Sequence, residues 1–475
     1  MTSTNPSVYA DKDDLRTRFA AAMSTMYRAE VPLYGDLMDI VRDINVSVQK
    51  TTVEDPRIDG TTGVPASIER LTQERHGAIR LGTPFEIRMI KRIFAVLGMH
   101  PIGYYDLSVA GLPMHATCFR PLSLSSLNHN PFRVFTTLLR PELLTPEARE
   151  LAMRLLGKRN IFSKTLVELL DRIDQQDGKL EESQSEIFIH EAMSTFRWQP
   201  TATATFDQYQ ALKAVHPILP DIACFQSAHI NHLTPRTLDI LAAQSAMKKA
   251  GIAAKAQIEG PPARECPILL RQTSFLALEE IVHFRREDQS ANQPLSPNDL
   301  VEASHKARFG EIEQRGAAVT KKGRELYDKL LCKGKARAAG VTPEKADSIA
   351  IEVFKEYPDT WVELRHQNLI YCEFKVTLSN ASPSVKFQGS STLEKLISEG
   401  TVEAVPITYE DFLPFSAAGI FQSNLQCSSP STLFPHSSHC SGDLKGLEEA
   451  METNILDLDS WKLGLALKDL IPGGR

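Results

Sequence analysis

The sequence has no apolar run approaching the roughly 18 residues that a membrane-spanning helix needs, so no segment is expected to cross a bilayer. It also has no C-x-x-C pair. The seven cysteines, Cys118, Cys224, Cys266, Cys332, Cys372, Cys427 and Cys440, are odd in number and scattered, which fits reduced thiols in a cytoplasmic protein better than a disulfide framework. Lysine and arginine form no stripe with interleaved aromatics, and the formal net charge is -6, so no nucleic-acid surface is expected. The first fourteen residues lack an apolar core and carry Asp11, Asp13 and Asp14, so neither a signal peptide nor an Arg-rich transit peptide is indicated. What remains is an ordinary globular composition, 475 residues with 42% hydrophobic and 24% charged, enough for two or more domains or one large elaborated one. Small molecules are the expected partners, and no protein partner is evident.

What is present is a pattern that occurs twice. Residues 74–84 read as a strand, and alternation puts His76, Ala78 and Arg80 on one face, with the Cα atoms of His76 and Arg80 roughly 13 Å apart. Thr83, Pro84 and Glu86 then spell a capped helix start, followed by Ile87, Ile90, Phe94 and Leu97 at helical spacing and Gly98 as a stop. Three strands are expected next, at 102–108, 114–120 and 132–139. Further on, 228–234 reads as a strand bearing His232, and Pro235 to Thr237 turns into a helix with Leu238, Leu241 and Ala242 inward and Gly251 as its stop. Candidate strands follow at 267–272, 276–283 and 307–313.

The expected fold class is therefore α+β, with two strand-helix-three-strand modules forming a curved sheet or partial barrel and helical layers added to it. The expected divisions are a helical cover at 1–65, the first module at 66–140, a helical connecting layer at 141–220, the second module at 221–316 with an insertion at 287–298, and 317–475. The last part holds two helices, an aromatic and small-residue segment at 409–421 suited to lining a pocket, and a Ser, Pro and His rich loop at 426–442.

A divalent ion that must take both a substrate and oxygen wants about three protein ligands, two imidazoles and a carboxylate, leaving positions open. His76 and His232 hold equivalent places in the two modules. Glu311 and Glu313 supply the carboxylate from the last strand, and alternation cannot separate them because they share a face. The last strand of the first module, 132–139, has no carboxylate, so one three-ligand site is expected and not two. His229 faces away from His232 and reads as structural or as a support behind a metal ligand. His436, His439 and Cys440 lie in a Ser-rich loop with no fourth ligand at a fitting spacing, which is a poor zinc site. Arg80 has the planar fork that suits a carboxylate, either an acid on a neighbouring element or a substrate.

The strand-helix-three-strand unit, with its His in I-N-H-L-T, resembles the vicinal-oxygen-chelate superfamily, and F-G-E-I-E-Q-R is similar to a metal-ligand segment of 4-hydroxyphenylpyruvate dioxygenases. R-H-G-A-I-R, H-I-N-H-L-T-P-R-T-L-D, R-F-G-E-I-E-Q-R-G and Y-E-D-F-L-P-F-S-A-A-G-I-F together, spanning 75–421, more closely resemble the 2-oxoadipate dioxygenase/decarboxylase family. That resemblance implies Fe(II) bound by His76, His232 and Glu311. It also implies a 2-oxo dicarboxylic acid and O2 as substrates, with Arg80 on a substrate carboxylate and Phe415 and Ser416 lining the pocket. The implied reaction turns 2-oxoadipate into D-2-hydroxyglutarate and carbon dioxide in lysine catabolism. The alternatives are a glyoxalase-type isomerase or lyase, an extradiol dioxygenase, or a non-catalytic binding protein on the same scaffold.

Overall fold

The Thr83 hydroxyl accepts from the Glu86 amide at 3.2 Å, and the Glu86 carboxylate accepts from the Thr83 amide at 3.3 Å, which starts the helix Pro84–Val96 with its free donors satisfied. The helix stops at Gly98, whose φ of 69° lies in the left-handed region. These coordinates are a computed structural model, and they describe residues 8–51, 71–286, 300–338, 340–377, 393–412 and 442–461. Around this helix stand β1 (Glu74–Leu81), β2 (His100–Asp106), β3 (Met114–Arg120) and β4 (Arg133–Leu139), the order expected for the first module.

The connecting layer is helical over Pro146–Leu156, Lys164–Gln175 and Ser185–Phe196. It then departs from expectation, because the Thr-Ala alternation of Thr201–Thr205 forms a strand, β5, before the helix Phe206–Val215. In the second module β6 is only His232–Pro235. Its helix, Ile240–Lys249, is capped by the Asp239 side chain and buries Ile240, Ala243, Gln244 and Met247. Starting there turns the stripe, so Leu241, expected inward, is 51% exposed.

Then follow β7 (Leu270–Ser274), β8 (Glu279–Arg285), β9 (Leu300–Lys306) and β10 (Phe309–Arg315), and later a separate antiparallel pair, β11 (Cys372–Val376) with β12 (Val402–Pro406). Seven strands make one curled half-barrel sheet in the order β2-β3-β4-β1-β6-β10-β7. Its centre is the antiparallel pair β1 and β6, each flanked by a parallel partner, β4 and β10. The α+β class and the curved sheet are thus as expected.

One strand of the second module differs. The segment expected at 276–283 leaves the sheet as β8, pairs with β9, and makes a three-stranded sheet with β5. Its place in the large sheet is taken by 254–259, which joins β7 through the isolated bridges Ala254 to Phe275 and Glu259 to Gln272. Gly260, Pro261 and Pro262 end that segment before it becomes a regular strand. The insertion at 287–298, Phe415, Ser416 and the loop from 426 to 441 lie outside the described residues.

Helices Lys12–Glu30 and Pro32–Thr51, broken at Pro32 as expected, cover one face of the sheet. Phe19, Tyr27, Tyr34 and Leu37 are fully buried there with Ile79 and Leu81 of β1, each side chain contributing roughly 1.5–3 kcal/mol by leaving water. Among the described residues no helix is long and apolar enough to cross a membrane.

The end of β10 depends on a close backbone approach. A Cβ at Gly316 would lie 2.3 Å from the Pro267 carbonyl carbon and 2.4 Å from the Ile268 amide nitrogen. Gly316→Ala is therefore expected to destabilise the protein by about 1–3 kcal/mol, read as a lower denaturant midpoint at unchanged slope.

Candidate metal centre

The centre forms where the two modules meet. In the β1–β6 register Ala78 faces His232 and His76 faces Thr234, while Phe309 of β10 sits beside His232 in the parallel pair. Cross-strand partners share a face. Alternation then carries Arg80, Glu311 and Glu313 to that face too, opposite the N-terminal helices. A bulge in β1 between Glu74 and His76 sends Glu74 toward Ser24 and Tyr34 of those helices, and Arg75 toward Glu313.

His76, His232 and Glu311 are all fully buried, and one ligand atom from each lies within 4.8 Å of the others. The His76 and His232 rings meet edge to face at 5.5 Å, and His232 stacks on Phe309 at 4.7 Å. Among the described residues no hydrogen-bond partner reaches either ring nitrogen of His232 or Glu311 Oε2. A buried polar atom without a partner is costly, so an unpartnered His232 beside an unpartnered Glu311 oxygen marks a place built for a ligand. Burial, and after it the neighbouring His76 and Arg80, hold His232 well below the usual imidazole range, in the neutral form that a metal binds. Burial also works against a charge on His76. It is outweighed by the carboxylates of Glu311 and Glu313 at the two ring nitrogens, and His76 is raised above its usual value. Two imidazoles and a carboxylate fit a divalent transition metal with open positions.

The support around these side chains was only partly legible in the sequence. Glu311 Oε1 accepts from Gln272 Nε2 at 2.6 Å and from the Thr234 hydroxyl at 3.1 Å, and the same oxygen lies 3.2 Å from His76 Nε2. Glu313, on the same face, stands behind His76, its Oε2 3.1 Å from Nδ1. It is held there by the Arg315 guanidinium, which keeps the Glu313 carboxyl well below the usual carboxylate range despite burial. Alternation leaves the two glutamates equivalent, and it is their neighbours that separate them: one faces both imidazoles, the other orients one of them. Thr234, two residues past His232, was within reach of the same alternation argument. Gln272 carried no signal.

Arg80 lies further along the same face, 8% exposed, with Nη1 2.5 Å from Asp221 Oδ2. The same carboxylate takes His229 Nε2 at 2.9 Å, His305 Nε2 at 3.3 Å and Asn231 Nδ2 at 3.1 Å. His229 is thus a partner of Asp221, in the segment that leads into β6. The segment expected to line the pocket is described as far as Phe412, whose ring meets His76 at 4.8 Å. Arg75 Nη2 holds Glu410 Oε1 and Oε2 at 2.9 and 2.8 Å, while Arg133 Nη1 and Arg315 Nη1 take the backbone carbonyls of Glu410 and Tyr409 at 2.5 and 2.7 Å. Three buried guanidiniums therefore seat Phe412 over the site.

The chain is similar to known proteins over most of its length. The family model described as 2-oxoadipate dioxygenase/decarboxylase matches residues 19–424. Proteins of that name from Pseudomonas putida and Escherichia coli are 48% and 44% identical, over 88% and 94% of this chain and the same shares of theirs. The crystal structure of the hydroxyglutarate synthase from Pseudomonas putida in complex with 2-oxoadipate superposes with a TM-score of 0.83 at 43% identity, covering 98% of each chain.

Proposed function

Since the chain belongs to the 2-oxoadipate dioxygenase/decarboxylase family, we propose that it carries out the reaction in that name: an Fe(II)-dependent conversion of 2-oxoadipate and O2 to D-2-hydroxyglutarate and CO2, serving lysine catabolism. Both oxygen atoms of O2 enter products, one in the new carboxylate and one in the new hydroxyl, so no outside reductant is needed. The observation that carries the reading is the convergence of His76, His232 and Glu311 with unpartnered donor atoms in a buried site. Ferrous iron held by these three would supply a Lewis acid for the 2-oxo carboxylate and the means to activate O2.

The rest is the work of the chain. Arg80 offers a fixed cation to a substrate carboxylate, and its planar fork can take two oxygens at once. Glu313 orients His76, while Gln272 and Thr234 orient Glu311, so the ligand atoms are held in place before substrate arrives. Phe309 and Phe412 wall the site with apolar surface and keep water from it.

Anaerobically reconstituted Fe(II) protein is expected to take up O2 and release CO2 in equal amounts with 2-oxoadipate, and to form 2-hydroxyglutarate. An isomerase or lyase would consume no O2, and an extradiol enzyme would cleave catechols and leave 2-oxoadipate intact. Binding of 2-oxoadipate with neither O2 uptake nor CO2 release sinks the reading. Metal analysis of the purified protein tests iron separately.

A further inference from the structure

We propose that Asp221 is a positioning residue that aims Arg80 at the substrate, an inference that rests on the reading of Arg80 as the carboxylate-binding cation. Asp221 sits on a five-residue helix, Leu219–Ala223, that packs against β1, and it is 5% exposed. Its Oδ2 takes Arg80 Nη1 at 2.5 Å and Asn231 Nδ2 at 3.1 Å. Its Oδ1 takes His229 Nε2 at 2.9 Å and His305 Nε2 at 3.3 Å. One carboxylate thus accepts from side chains on β1, on β9 and in the segment leading into β6.

Two consequences follow from that connectivity. First, an arginine four residues along a strand from His76 has a long side chain with many rotamers, and a bond to one of its terminal nitrogens selects among them. Second, Asn231 is the residue before His232, and its amide is bonded to the Ala78 carbonyl at 3.0 Å. Asp221 therefore ties the cation to the same stretch of backbone that carries a candidate metal ligand. The spacing between the two ends of a bound dianion is set by this one side chain. His305 is itself held from behind, its Nδ1 3.1 Å from the Tyr209 hydroxyl, so Asp221 is braced rather than free to follow Arg80.

The test is steady-state O2 uptake with 2-oxoadipate, with iron per chain measured on the same samples. Asp221→Asn is expected to raise KM about tenfold or more, to leave kcat within about threefold and to keep its iron, because what is lost is the aim of a binding group and not the metal ligands. In the Arg80→Lys background the same change should add less than about twofold, since residues acting through one another are not additive. Asp221→Glu keeps the charge, and so the folding of the cluster, while moving the carboxylate by one methylene; it too should raise KM at nearly constant kcat. An unchanged KM in an iron-loaded Asp221→Glu protein overturns the proposal. So does a penalty from Asp221→Asn that multiplies with that of Arg80→Lys. If the wild-type protein shows no uptake, the proposed reaction fails and this inference falls with it, whereas wild-type turnover with an indifferent Asp221 removes the positioning role alone.

Discussion

His232→Ala is expected to strip the protein of iron, to below about a tenth of an equivalent per chain after desalting, and to lower O2 uptake with 2-oxoadipate at least about a thousandfold. The argument is one of ligand number. His76 and Glu311 come from adjacent modules, and with His232 gone they are two donors where an open site of this kind needs about three. His232 differs from the other two in having no second task within the described residues: His76 is engaged by Glu313, and Glu311 by Gln272 and Thr234, but neither His232 nitrogen has a hydrogen bond. Its loss also leaves a space between His76 and Phe309, against which both rings pack. Melting of the metal-free variant should therefore be compared with metal-free wild type, so that lost packing is not mistaken for lost metal. Full iron occupancy in His232→Ala would falsify its place in the ligand set.

The second large effect belongs to Arg80. Arg80→Lys is expected to raise KM for 2-oxoadipate about thirtyfold or more, with iron content unchanged and kcat within a few fold, in line with about 2 kcal/mol for a charge-assisted pair of hydrogen bonds. The position tests shape rather than charge. Lysine keeps the cation, but it is a point donor, and it must choose between Asp221 and the substrate where the fork reaches both. A KM equal to that of wild type discards the role and leaves Arg80 as the partner of a buried acid, the other reading its residue type allows.

How far these features were legible depends on how local their causes are. The capping box at Thr83 and the break at Pro32 follow from a few adjacent residues, and both were there to be read. Alternation sufficed to put His76 and Arg80 on one face and to recognise His232 as the counterpart of His76. The strand at 276–283 was read correctly as a strand and assigned to the wrong sheet, because a period of two says which face a residue takes and nothing about which neighbour the strand chooses. Asp221 was out of reach for a different reason: a five-residue helix beginning with Leu219 and Pro220 has too few turns to show a periodic stripe. The separate tasks of Glu311 and Glu313 depend on Gln272 and Arg315 across and along the sheet, and only the folded chain brings these together.

The antiparallel seam between β1 and β6 bears on more than catalysis. The three candidate ligands come from both sides of it, so a cation held there would act as a cross-link between the halves of the sheet, beside the hydrogen bonds that already pair β1 with β6. Unlike a covalent bridge, its strength is set by supply. The seam would gain stability with the logarithm of free metal over the dissociation constant, so the integrity of the half-barrel and its readiness to react would rise and fall together with metal availability in the cell.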